Sequence, residues 1–399
     1  MFQAHQQPAY DDSEAVTSVC VDIESQAGIV GIESIDALRF ALKGLSECDQ
    51  GILVHAGDCA ETFASCSSHR VGRDVNFLCE LSKECPVTIG RIRGQFAKPR
   101  SSPVELHSDL GQIPVFRGDI INGTCPTQRR PDPRRMLTAY ALCRDMDLPP
   151  SLFSSHECLL LPYEESLVRF CERTQRHFSS SAHFLWIGDR TRDLDGAHVE
   201  FCRGLSNPIG IKVGPSSNPA VIRDCILRLN PANEYGKITV ITRYGAGNVQ
   251  CNLPQLIEML RDLNVLYQCD PMHGNTVVLS SGLKTRFVET IMVEIAEVIS
   301  AHRSVGSRIH GIHLETTGAD VTECVGCGVH VDDVPNRYES ACDPRLNPTQ
   351  AKAVVAYTLQ LLNHDVKVPS SMASSSRLTT ADTSASGSLS FSSDEERSI

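Results

Sequence analysis

Short apolar runs recur along this chain, each ending in a polar or charged cluster and followed by a stretch of helical periodicity. Between about residue 50 and residue 323 there are eight: GILVHAG (51–57), VTIGRIRG (87–94), SLFSSHECLLL (151–161), HFLWIG (183–188), PIGIKVG (208–214), KITVITRYG (237–245), NVLYQCD (264–270) and RIHGIHLE (308–315). Intervening segments such as NPAVIRDCILRLN (218–230) and LPQLIEMLRDLN (253–264) carry apolar residues three and four apart, the spacing that gives a helix one apolar face. Strands alternating with helices predict an α/β fold, and eight of them most simply close into a (β/α)8 TIM barrel. The spacing is uneven. A long excursion over 101–150, after the second run, predicts an insertion with a helix over 134–145.

The alternation divides the chain into an N-terminal extension (1–50), a barrel that would carry the chemistry (51–368) and a tail (369–399). The tail is almost entirely Ser, Thr, Ala and acid. Such a segment buries too little apolar surface to offset its ordering entropy, which predicts disorder, a candidate phosphorylation target and no part in catalysis.

Composition narrows the class of function. Hydrophobic residues at 41% and charged residues at 21% describe an ordinary soluble globular protein. A formal net charge of -11 argues against a general nucleic-acid or polybasic membrane-surface role, because both need excess Lys and Arg to meet phosphates. No apolar stretch approaches the roughly 18 residues of a membrane span, and the first thirty residues lack a basic start followed by an apolar core, so the expected location is cytoplasmic. Seventeen cysteines in that setting read as reduced, mostly buried thiols. Cys324 and Cys327 form a CxxC without a second pair at zinc-site spacing.

The chemistry is concentrated after the strands, where the loops of such a barrel converge. The stretch YQCDPMHGNT (267–276) is one example: Asp-Pro and Gly-Asn suit a turn, but a turn does not call for His273. Cys59, His273 and Glu315 each follow a predicted strand, and Asp343 joins them from YESACDPRLN. A thiolate, an imidazole and two carboxylates suit Mn2+, Co2+, Fe2+ or Zn2+ and disfavour magnesium and calcium; the ligand types do not choose among the four. A second group is cationic: Arg91, Lys98, Arg100, Arg190, Lys212 and Arg243, with Arg192, Lys284 and Arg286 further out. These charges would repel one another unless anions lay between them or they paired with acids such as Asp189, Asp193 and Asp195.

The motifs GDCAE, RIRGQFAKPRS, SHECLLLPYEE, WIGDRTRDLDGAH, NPIGIKVGP, DPMHGNT, GIHLETTGADVTEC and CDPRLNP resemble those of the type II 3-deoxy-D-arabino-heptulosonate 7-phosphate (DAHP) synthases, from about residue 50 to residue 347. The resemblance implies an enzyme, a transferase that condenses phosphoenolpyruvate with D-erythrose 4-phosphate and releases phosphate at the entry to the shikimate pathway. It places the metal on Cys59, His273, Glu315 and Asp343, with Mn2+ or Co2+ ahead of Zn2+ or Fe2+. It places phosphoenolpyruvate on Arg91, Trp186, Arg190, Lys212 and Arg243, and erythrose 4-phosphate on Lys98, Pro99, Arg100 and Ser101. Proton transfer would fall to Lys212 with Glu157 or Asp189, since acid and base must lie near the reacting atoms. The expected partners are the two substrates, a second copy of the chain in a homodimer or larger homo-oligomer, and a chorismate mutase; no nucleic acid and no membrane is expected.

Two residues depart from the family pattern, Arg93 where a small residue is usual and Asp189 where Glu is usual, and both are expected to bear on substrate fit. The short stretch before the first strand resembles that of copies serving secondary metabolism, and the expectation is weak or absent inhibition by Phe, Tyr or Trp. Two other functions compete with the main reading. One is an amino-DAHP synthase for aminohydroxybenzoate-type antibiotics; the other is a catalytically silent paralogue that binds a partner. Finally, Cys342 precedes Asp343, and a disulfide between Cys342 and Cys59 would remove the thiolate from the metal site.

Overall fold

The computed structural model describes residues 2–47 and 51–363; the tail expected to be disordered lies outside the described residues. Each of the eight apolar runs contains one strand: β1 (Leu53–Gly57), β2 (Val87–Arg91), β3 (Phe153–Glu157), β4 (Phe184–Ile187), β5 (Ile209–Val213), β6 (Ile238–Thr242), β7 (Val265–Cys269) and β8 (Gly311–Glu315). They pair in parallel and close in the order β1-β8-β7-β6-β5-β4-β3-β2, a (β/α)8 barrel. Every residue of β1, β2, β5, β6 and β8 is buried, because one face of each strand fills the barrel and the other meets helices. That is why these strands read as apolar runs rather than as an alternation.

Before the barrel come α1 (Ser13–Glu24) and α2 (Ile32–Glu47). One helix then follows each strand: α3 (Ser68–Leu81), α4 (Arg135–Asp145), α5 (Leu161–Ser166), α6 (Ala197–Arg203), α7 (Pro219–Leu229), α8 (Val249–Met259), α9 (Val288–Ser304) and α10 (Pro348–Asn363). The Asn218 side chain caps α7 by accepting from the Ala220 N–H at 2.9 Å, and Pro219 opens the helix where its missing N–H costs nothing. Only α8 departs clearly from its expected span of 253–264. Its buried stripe begins at Val249 and continues through Leu253, Leu256 and Ile257, so Pro254 lies inside the helix rather than opening it.

The N-terminal extension is part of the barrel's core. Leu38, Leu42 and Leu45 lie on one face of α2 and pack with Leu53, Val87, Ile89, Phe184, Trp186, Ile241 and Leu266, closing the amino-terminal end of the barrel. Gly236, at φ +73°, lets the chain pass so close to α2 that a Cβ there would lie 2.6 Å from the Arg39 carbonyl oxygen.

The insertion after β2 forms a hairpin (Val104–His107 with Gly111–Pro114) and α4. The apolar faces of α1 and α4 meet in a second cluster, which includes Val19, Ile23, Met136, Tyr140, Phe96 and Ile120. The Tyr140 hydroxyl donates to the Ala27 carbonyl at 2.8 Å, tying insertion to extension.

Candidate active site

Loops leaving the carboxyl ends of the strands line a cavity of about 330 Å3. Its wall holds eight Lys or Arg side chains against three Asp or Glu, in a chain whose formal net charge is -11. So strong a local reversal marks the place where an anion is stable.

The residues expected to hold a metal come together at one side of this cavity. Ligand atoms of Cys59, Glu315 and Asp343 all lie within 4.8 Å of one another. His273 joins them through Glu315, its Nε2 standing 3.1 Å from Oε1. On the other side of the ring, Nδ1 meets Asp270 Oδ2 at 2.8 Å, the kind of outer partner that orients a ligating imidazole. Sulfur, imidazole nitrogen and two carboxylates fit a divalent ion of the transition series. The cluster already attracts positive charge, since Lys98 Nζ sits 3.1 Å from Cys59 Sγ, 3.9 Å from Glu315 and 4.0 Å from Asp343.

Glu315 is fully buried, which alone would push its pKa up. His273, Arg286 and Lys98 outweigh that and hold it well below the ordinary carboxylate value. Arg286, placed on the outer rim by sequence, is fully buried like Arg91 and donates to Glu315 Oε2 at 2.7 Å and to Thr276 Oγ1 at 2.9 Å. Lys284 pairs with Asp343 at 2.8 Å. Cys59 Sγ donates to Asp343 Oδ2 at 3.6 Å; burial and the neighbouring Cys342 raise the Cys59 pKa, while Cys59 lowers that of Cys342.

The cations expected to meet phosphoenolpyruvate line the same cavity, two of them against Trp186. Arg91 lies over its ring at 5.0 Å and Lys212 at 5.9 Å. Lys212 is buried and donates to Asp270 Oδ2 at 2.5 Å. Burial lowers its pKa, the Asp270 charge opposes this, Arg91 adds to the lowering, and the result is about 8. Arg190 is exposed on the cavity wall, and Arg243 comes no closer than 3.8 Å to Asp189. Asp189 is held mainly by Arg192, which donates to Oδ1 from Nε at 3.0 Å and Nη2 at 2.8 Å. Glu157 is buried, its pKa is raised by that burial, and its Oε1 has no hydrogen-bond partner. Lys98, Pro99, Arg100 and Ser101 line the same cavity, with Arg100 Nε fixed on the Phe116 carbonyl at 2.7 Å. Arg93, expected to affect substrate fit, instead turns away and donates to the Cys143 carbonyl at 2.7 Å.

Against known proteins, the chain matches the model of the class-II DAHP synthetase family over residues 1–148 and 147–359. The chain belongs to that family. Among its relatives are phospho-2-dehydro-3-deoxyheptonate aldolases of Streptomyces coelicolor (36% identical, covering 87% of this chain and 93% of that one) and Neurospora crassa (36%, 86% and 89%). A solved structure of phospho-2-dehydro-3-deoxyheptonate aldolase from Francisella tularensis aligns with a TM-score of 0.55 over 88% of this chain and 96% of that one. At 16% identity it supports the fold alone.

Several residues that build this class-II site escaped the sequence reading. Asp270 looked like a turn residue, yet it is fully buried and bridges Lys212 and His273. Glu61 accepts from the backbone N–H groups of Arg93, Gly94 and Gln95 at 3.1, 2.8 and 2.8 Å, fixing the loop that carries Lys98. Gln6 and Gln7 reach the site loops from the N-terminal arm. Gln6 Oε1 accepts from the Arg100 N–H at 2.9 Å, and Gln7 Nε2 donates to the Leu159 carbonyl at 2.7 Å. An acid before a proline was the only available signal for Asp270; the others had none.

Proposed function

We propose that this protein is a metal-dependent DAHP synthase, condensing phosphoenolpyruvate with D-erythrose 4-phosphate to give DAHP and inorganic phosphate. One observation carries the reading: a strongly cationic cavity meets a sulfur, imidazole and carboxylate cluster at the carboxyl ends of the strands. Family membership supports the same reaction. Two phosphorylated substrates account for more positive charge than one small anion needs.

Cys59, His273, Glu315 and Asp343 would hold the ion, Mn2+ or Co2+ in the first instance. When bound, it supplies a Lewis acid for the aldehyde oxygen of erythrose 4-phosphate. Arg91, Arg190, Lys212 and Arg243 bind phosphoenolpyruvate above Trp186, and Lys98, Pro99, Arg100 and Ser101 bind the aldose phosphate. Holding both anions in one cavity offsets their mutual repulsion and turns a collision into a positioned reaction. The methylene carbon of phosphoenolpyruvate bonds to the aldehyde carbon, and water then adds at the former enol carbon as phosphate departs. Lys212, with its pKa near 8, is the proton donor to the new hydroxyl. Glu157, whose unpartnered Oε1 and raised pKa suit a base, takes the proton from water. Asp189, engaged by Arg192, steadies the arginines instead.

The test is phosphate release from phosphoenolpyruvate with erythrose 4-phosphate, in chelator-treated enzyme and after adding manganese, cobalt or zinc. Turnover restored by one of these ions supports the reading. No phosphate release under any of these conditions rejects it. The same reading includes a homodimer or larger homo-oligomer and a chorismate mutase partner, which sedimentation with and without that partner tests.

A further inference from the structure

Beneath the cavity, the barrel interior holds two histidines that the reaction does not use. His55 in β1 and His313 in β8 are register partners on adjacent strands, so their side chains enter the barrel side by side. Both are fully buried, their rings are 4.3 Å apart, and their Nδ1 atoms lie 3.0 Å from each other. Each makes an edge contact with Trp186 at 5.5 Å. At the upper end of this pair, His313 Nε2 is hydrogen-bonded by Arg91 Nη1. At the lower end, His55 Nε2 lies 2.7 Å from Ser155 Oγ, and the Ser155 hydroxyl stands 2.9 Å from the Gly90 carbonyl oxygen.

The direction of every bond in this chain follows from one fact: a guanidinium has N–H donors and no acceptor. His313 Nε2 must therefore present its lone pair to Arg91, which leaves the ring proton on Nδ1. His55 Nδ1 must accept that proton, so its own proton is on Nε2. Ser155 accepts from His55 and donates to the carbonyl of Gly90, the residue immediately before Arg91. The chain returns to the peptide from which it started.

We propose that His313, His55 and Ser155 are positioning residues for Arg91, forming a one-directional hydrogen-bond loop that fixes the orientation of its guanidinium beneath phosphoenolpyruvate. The other anchors of Arg91 complete the orientation. Nε donates to the Asp58 carbonyl at 3.0 Å, and Nη2 donates to the Cys59 carbonyl at 3.3 Å and to Glu315 at 3.1 Å. With Nη1 on His313, four of the five N–H groups of a guanidinium are engaged, leaving one on Nη1 for a ligand. Moving the His313 proton from Nδ1 to Nε2 would set N–H against N–H at Arg91 and displace that remaining donor. The loop explains why two buried imidazoles, which could otherwise be apolar residues, stand inside this barrel.

The functional half of this inference rests on the DAHP synthase reading; the tautomers do not. In side-chain 15N spectra of histidine-labelled enzyme, His313 is expected protonated on Nδ1 alone and His55 on Nε2 alone. The reverse tautomers, or a charged ring at either position near neutral pH, overturn the proposal. In kinetics, H313F and H55F are expected to raise the KM for phosphoenolpyruvate on the order of tenfold while leaving that for erythrose 4-phosphate within about twofold. H313Q, whose amide oxygen can accept from Arg91, is expected to recover most of the loss. Equal changes in both KM values, or no difference between H313F and H313Q, would mean that the pair merely fills space. Wild-type enzyme that turns over neither substrate refutes the activity and leaves the tautomers to be judged by the spectra.

Discussion

At the scale of single residues, two groups govern chemistry that can be read in solution. Lys212 acts as a donor only while protonated. Its pKa of about 8, below the ordinary lysine value, means that kcat should fall as pH rises through that value. K212M should lower kcat by about 10²–10⁴ and abolish this alkaline limb, a result that a pH profile of both enzymes checks. Cys342 precedes Asp343, which accepts from Cys59 Sγ at 3.6 Å, so hydrogen peroxide should join the Cys342 and Cys59 sulfurs and stop turnover, with dithiothreitol restoring it. C342S should resist the same treatment; equal inactivation of C342S excludes this pair. Sequence marked Cys59, His273 and Glu315 because they recur together at the ends of strands, with Asp343 joining them; none was distinctive alone. It could not mark Asp270 or order Arg286 ahead of Arg190, because burial and pairing depend on what other strands bring.

Among the elements, α2 shows most plainly how packing decides. Its apolar face is legible in sequence, but an apolar face does not say which partner it covers. In the fold it closes the amino-terminal end of the barrel, with Leu42 fully buried among strand residues. L42A should cost about 2–5 kcal/mol in chemical denaturation, the range for emptying a packed leucine site. A cost under 1 kcal/mol, as at an exposed position, would show that α2 does not plug the barrel. The N-terminal arm makes the same point on a smaller scale, since Gln6 and Gln7 touch site loops far away in sequence. The eight strands were readable because burial on both faces, complete or nearly so, makes each an apolar run. The three antiparallel hairpins among the described residues were not, since half-exposed pieces of two to four residues carry no such pattern.

For the whole molecule, charge placement matters more than charge total. A net value of -11 would repel dianionic substrates, yet eight cations are gathered around one cavity. Turnover at low substrate should therefore fall with ionic strength, on the order of tenfold between about 0.02 and 0.3 M salt, as screening shortens the reach of those charges. A kcat/KM indifferent to salt would show that the cavity field plays no part in capture. Among the described residues no helix is long and apolar enough to cross a membrane.

Sequence by itself determined the alternating architecture, the strand positions and the unusual residues at strand ends, because backbone periodicity and side-chain chemistry are local properties. Only the closed barrel decided that Cys59 and Asp343, 284 positions apart, share one point in space, and that His313 and His55 stand between Arg91 and Ser155. Closure sets those distances through strand register and helix packing, which are relations among distant segments.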